Sequence, residues 1–196
     1  MSVNLRKGQK IDLRKPDGGT LHKVMVGLGW DEMEQKRRLF GPKPQPIDCD
    51  ASAFLCTDGK VKTTADVVYF GNLKHVTGAV THMGDNRTGE GDGDDEQILV
   101  DLDAMPKNFN KVVVVVNIYS AVERRQHFGM IENAFVRVFD VETNKEICKY
   151  DLSENYTGKT AMICGELVKE DGVWKFNAIG EATNDPNISS MLKRYQ

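Results

Sequence analysis

The sequence lacks several things that would each point to a function. Its 196 residues carry a formal charge of −3, with 26 Lys and Arg against 29 Asp and Glu, so there is no basic footprint for nucleic acid. The opening stretch, MSVNLRKGQKIDLRKPDGG, has no apolar core of the kind a signal peptide needs. The longest apolar run is VVVVV at residues 112–116, far too short to cross a bilayer. These absences lead to the expectation of a cytoplasmic protein with no direct membrane insertion. The four cysteines, Cys49, Cys56, Cys148 and Cys164, show no C-x-x-C spacing and are expected to be free, buried hydrophobes. There is no internal repeat, no G-K-[ST] phosphate loop, and no nucleophile–base pair at telling spacing. His22, His75, His82 and His127 are scattered.

Helix-type pattern is scarce too. SAVERRQHFGMIENA, residues 120–134, is expected to hold one short helix, and NISSMLKRYQ at the C-terminus another. Short β-type segments dominate instead. IDCDASAFLC places Ile47, Cys49, Ala51, Ala53 and Leu55 on one face and Asp48, Asp50 and Ser52 on the other. AFVRVFDV alternates in the same way, and KVVVVVNIYSA is apolar throughout, as expected of a strand covered on both faces. LHKVMVGLGW, ADVVYFG, ILVDLD, EICKYDL, TAMICGELVKE and GVWKFNAIGEA complete the set. TNK at 143–145 and EDG at 170–172 read as hairpin tips. The fold class this predicts is all-β: a two-sheet β-sandwich with one or two short helices, as a single domain over residues 1–196. The Pro-rich connector at 37–46 reads as an exposed loop rather than a boundary.

What the sequence has in excess is acid in one place. MGDNRTGEGDGDDEQ holds Asp85, Glu90, Asp92, Asp94, Asp95 and Glu96 against the single Arg87 within twelve residues. Two unit charges about 4 Å apart repel by about 1 kcal/mol in water and several-fold more beside protein. A compact loop of this kind is destabilised unless a cation offsets the repulsion. The donors are all oxygen, which favours hard cations, Ca²⁺ or Mg²⁺, over zinc. Gly89, Gly91 and Gly93 permit turns that aim carbonyls inward, an arrangement better suited to the flexible six- to eight-fold shell of Ca²⁺. It is not an EF-hand. The third, fifth and sixth positions are Arg87, Gly89 and Glu90, and the flanks read as strands. Two further segments supply acids: GLGWD ends in Asp31, and DCD puts Asp48 and Asp50 on one strand face.

Taken together, VNLRKGQKIDL, VGLGWD, IDCDASAFL, GAVTHMGDNRTGEGDGDDEQI, NFNKVVVVVNIYSAVERRQHFGMIENAFVRV, YDLSENY, TAMICGEL and WKFNAIGE resemble the TerD family of tellurite-resistance and stress-response proteins, in order and over nearly the whole chain. The resemblance implies a β-sandwich binding two Ca²⁺ ions in neighbouring sites. By that resemblance, Asp85, Asn86, Asp94, Asp95 and Glu96 are the side-chain ligands. Thr88, Glu90 and Asp92 match the motif as carbonyl donors or supporting groups, Asp48 and Asp50 match its D-x-D strand, and Asp31 its W-D. Cys49 stands where the family usually has Leu, and the 37–46 connector is longer and richer in proline. The resemblance also implies action beside other tellurite-resistance proteins, membrane-bound ones included, and no established enzymatic reaction. A Ca²⁺-dependent binding or scaffold module in a bacterial stress-response system is therefore expected. Two alternatives stay open: a thiol-dependent enzyme acting on tellurite, and a structural protein in which Ca²⁺ is only a staple. Cys49 discriminates the first alternative, because an inward-facing thiol is shielded and inert.

Overall fold

The computed structural model describes residues 2–15, 17–33, 45–84 and 93–196. Twelve strands form two six-stranded sheets. The first sheet contains β1 (Val3–Leu5), β3 (Lys23–Glu32), β6 (Val80–His82), β7 (Glu96–Asp101), β9 (Ile131–Asp140) and β10 (Lys145–Asp151), in the order β1-β10-β9-β3-β7-β6. The second contains β2 (Lys10–Asp12), β4 (Cys49–Cys56), β5 (Val67–Val68), β8 (Lys111–Ile118), β11 (Ala161–Glu170) and β12 (Val173–Thr183), in the order β2-β12-β11-β8-β4-β5. Of these pairings only β1 with β10 is parallel. The predicted two-sheet sandwich is what the chain forms. Among the described residues, no helix is long and apolar enough to cross a membrane.

Alternation decides which side chains fill the space between the sheets. From the first sheet come Val24, Val26, Leu28, Trp30, Ile98, Val100, Val136 and Val138; from the second, Cys49, Ala51, Ala53, Leu55, Val112, Val114 and Val116. The apolar run on β8 is covered on its other face as well. Val113 and Val115 join Phe54, Cys56, Met191 and Leu192 in a second cluster. That cluster lies beneath the C-terminal helix α2 (Ile188–Leu192), whose first turn is capped by Asn187 accepting a hydrogen bond from the Ser190 amide at 2.9 Å. The first sheet has no helical cover among the described residues.

The structure fixes the bounds of the expected elements. The short helix expected within 120–134 is the single turn α1 (Ala121–Arg124), closed by Arg125 in the left-handed region at φ 54°. A 3₁₀ turn at Phe128–Met130 follows, and the strand β9 takes the rest. The short strands β1, β2 and β6 carry too few residues to show a period, and sequence reading missed them. Both expected hairpin tips are turns, with Asn144 and Asp171 at positive φ.

Candidate metal centre

The antiparallel register gathers the acidic segments at one end of the sandwich. β3 ends there with Asp31 and Glu32, β7 begins there with Glu96 opposite Leu28, and β4 begins there with Cys49 opposite Ile118 at the end of β8. Glu32 stitches the two sheets at this end, its Oε1 accepting the amide of Ile47 at 2.6 Å, one residue before Asp48.

The outgoing arm of the acidic loop lies along β3. The Asp95 amide donates to the Leu28 carbonyl at 2.7 Å, and Asp95 Oδ2 accepts the Trp30 amide at 2.9 Å. Asp94 is held by side chains. Its Oδ1 accepts Arg137 Nε at 2.7 Å, and its Oδ2 accepts Gln97 Nε2 at 3.1 Å. The Asp94 side chain is fully buried, and Arg137 also reaches Glu146 at 3.5 Å. The glycines of GLGWD make room for this arm. A Cβ on Gly27 would stand 2.2 Å from Asp94 Oδ2, and one on Gly29 would stand 2.5 Å from the Phe135 ring and 2.8 Å from the Gly93 carbonyl.

Burial pushes the Asp95 carboxyl above its ordinary value. The Trp30 amide opposes that shift, and the neighbouring acids Asp31 and Asp94 add to it. Asp31 itself is exposed and accepts Asn133 Nδ2 at 2.8 Å. Glu96 differs from its neighbours. By alternation it shares the inner face of β7 with Ile98 and Val100, it is 1% exposed, and its Oε2 lies 2.9 Å from His82 Nε2, close in distance but poorly aligned for a hydrogen bond. The Gly84 amide donates to His82 Nδ1 at 3.2 Å, which places the ring proton on Nε2 toward Glu96. A buried His–Glu contact thus joins β6 to β7 under the base of the loop.

On the second sheet, Asp48 and Asp50 point outward, opposite the core-facing Cys49, as the alternation predicts. Asp48 lies 3.8 Å from Arg124 Nη1, and Asp50 is buried beside Asn117, its partner across β8. Asp85, Asn86, Thr88, Glu90 and Asp92 lie outside the described residues, as do Arg87, Gly89 and Gly91. Among the described residues no group of three or more His, Cys, Asp and Glu is placed to hold a metal ion. Asp31, Asp48, Asp50 and Asp95 are oxygen donors at one end of the sandwich, the donor chemistry that a hard cation takes. Sequence reading did not find Arg137, Gln97, Glu32 or His82. For Arg137 a signal existed, since it is the lone cation among the outward positions Phe135, Arg137 and Phe139 of β9.

The cysteines are all buried and free. Burial, then the charges of Asp50 and Asp48, push the Cys49 thiol well above its ordinary value. Burial likewise pushes Cys56 to about 11 and Cys148 and Cys164 to about 12. Protonated, shielded thiols are poor nucleophiles.

The TerD domain model matches residues 1–195. The chain belongs to the TerD family. It is 48% identical to stress response protein SCP2 of Bacillus subtilis (strain 168) over 199 residues, covering the whole of both chains. It is 45% identical to tellurium resistance protein TerD of Serratia marcescens over 182 residues, 92% of this chain and 91% of that one. Among solved structures, a homologue of telluride resistance protein (TerD) from Streptomyces coelicolor A3(2) superposes with a TM-score of 0.62 at 22% identity, covering 87% of this chain and 98% of that one. A protein of unknown function superposes with a TM-score of 0.64 at 24% identity, covering 88% and 95%. At these identities the solved structures speak to the fold alone. The family is one of tellurium-resistance and stress-response proteins.

Proposed function

We propose that this TerD-family protein is a Ca²⁺-dependent binding module of a tellurite-resistance and stress-response system, not an enzyme. The observation that supports the reading is that the acid-bearing ends of β3 and β7 and the segment leading into β4 lie at the same end of the sandwich. The acidic loop leaves and re-enters the fold there, and Asp31, Asp48, Asp50 and Asp95 are brought there from both sheets. Asp95 is held ionisable but disfavoured as an anion by burial and by its acidic neighbours, a condition that a bound cation relieves. Loop acids and carbonyls from 85–92 complete the shells of two ions in this reading, with Asp31, Asp48, Asp50 and Asp95 as side-chain donors. Asp94 serves as the anchor, because Arg137 and Gln97 take up both its oxygens. When bound, Ca²⁺ supplies charge compensation and order to the loop.

Two divalent ions add four positive charges to the formal −3, giving +1, with the change concentrated at one end of the molecule. That reverses the local field from repelling acidic partners to admitting them. The partners in this reading are other tellurite-resistance proteins, membrane-bound ones included. The buried cysteines argue against thiol chemistry on tellurite. The test is a Ca²⁺ titration of Asp50→Asn and Asp95→Asn, followed by partner recovery with ion and with chelator. Each variant weakens Ca²⁺ binding, and recovery depends on the ion. Unchanged binding in Asp50→Asn removes the D-x-D strand from the site. A partner set identical with ion, with chelator and in both variants reduces the ion to a staple.

A further inference from the structure

At the same end of the sandwich, separate from the acids, the two sheets part around an apolar pocket of about 210 Å³. Its walls include Leu28 and Trp30 from β3, Phe128 from the 3₁₀ turn before β9, Ile131 from the start of β9, and Met162 and Cys164 from β11, with Glu154 and Asn155 among its polar lining. The pocket is partly open at its mouth, and its apolar walls lack the dispersion contacts that a bound group would supply. A cavity of about 150 Å³ lined by aliphatic and aromatic side chains holds one benzene. This one has room for a single ring and a short substituent.

One wall residue narrows the chemistry further. Trp30 is 6% exposed, and its indole Nε1 has no hydrogen-bond partner among the described residues. An N–H left buried and unpaired costs about 1–3 kcal/mol, and the indole is a donor only. The same side chain lines the pocket, so an acceptor on a bound molecule that reaches Nε1 removes that penalty. We propose that this pocket is a binding site for a small, single-ring apolar molecule carrying one hydrogen-bond acceptor, which Trp30 Nε1 engages. No acid of the loop or of the D-x-D strand lines it, and its one link to the proposed ion site is the Trp30 main-chain amide, which holds Asp95.

The experiment uses the full chain and two probes of the same shape. Acetophenone carries a carbonyl acceptor, and α-methylstyrene replaces that oxygen with a methylene group. The protein has two tryptophans, so the indole N–H resonance of Trp30 can be told from that of Trp174 in an ¹⁵N-labelled sample. Acetophenone shifts the Trp30 resonance saturably and leaves Trp174 in place. Trp30→Phe weakens acetophenone about tenfold, the scale of one net hydrogen bond, and leaves α-methylstyrene within about twofold. Ala134→Phe, which fills the pocket from β9, abolishes binding of both in a variant that retains a cooperative melting transition. If neither probe shifts Trp30 saturably, there is no such site. If Trp30→Phe weakens both probes alike, the acceptor recognition is wrong. If filled, folded Ala134→Phe binds as the wild type does, the probes sit elsewhere. The Trp30→Phe contrast stands whether or not Ala134→Phe folds.

Discussion

Gly27 and Arg137 show how single residues set the acidic loop. Gly27 faces outward at the middle of the first sheet, where any side chain would occupy the space of the Asp94 carboxylate. Gly27→Ala is expected to displace Asp94 and destabilise the fold by about 1–3 kcal/mol, as overpacking does; urea unfolding measures it. Arg137→Gln removes the guanidinium from a fully buried carboxylate. A fully buried pair broken on one side costs about 3–5 kcal/mol. Arg137 is 32% exposed, so solvent screening brings the expected loss to about 2 kcal/mol. The double variant Arg137→Gln with Asp94→Asn recovers part of that loss, because no uncompensated charge is left buried. A double-mutant cycle that is additive would show that the two side chains do not act together.

Elements differ in how far the sequence betrayed them. β4 and β8 were legible because their partners enforce what their residues state: alternation on β4 puts Cys49, Ala51, Ala53 and Leu55 between the sheets, and unbroken valine on β8 marks a strand covered twice. What covers β8 on the outside was not legible, since the docking of α2 is a tertiary fact carried by Met191 and Leu192. Met191 is fully buried in that cluster, and Met191→Ala is expected to lose about 2–5 kcal/mol by opening a cavity under the helix. The expected short helix α1 is confined to one turn because the residues after it enter a strand whose pairing with β3 and β10 overrides local propensity. At the candidate site, the acid types and the D-x-D face were legible. The anchoring of Asp94 and the inward turn of Glu96 were not, because both depend on residues from other strands, Arg137 and His82. A pH effect belongs to this scale too. Although burial alone would raise it, the Asp101 carboxyl sits below its ordinary value because the Ala104 amide and Lys23, its cross-strand partner from β3, hold its anion. A depressed carboxyl contributes stability above its unfolded value and loses it as pH falls through the folded one. Asp101→Asn is therefore expected to lower the melting temperature slightly near pH 7, by less than about 1 kcal/mol of stability, and to make no difference once the solution is acid enough to protonate Asp101 in the folded protein.

For the whole molecule, the proposed function needs a cation to offset the charge that the acidic stretch concentrates in one place. An ion that binds only the folded state stabilises by RT ln(1 + [L]/Kd), about 2.7 kcal/mol per site at a hundredfold excess over Kd. Ca²⁺ should therefore raise the melting temperature relative to chelator, and Mg²⁺ at equal concentration should raise it less, because an oxygen-rich, glycine-rich loop sequence suits the larger ion's variable shell. The order the ion imposes is also what would let it change partner binding, since an ion without different affinity for two states cannot switch them. All of this depends on whether the ion binds at all. Calorimetric titration of chelator-stripped protein with Ca²⁺ tests that most directly. The account predicts saturation at two ions per chain, with affinities within roughly 10⁻⁷ to 10⁻⁵ M. A flat trace at millimolar Ca²⁺ would contradict it.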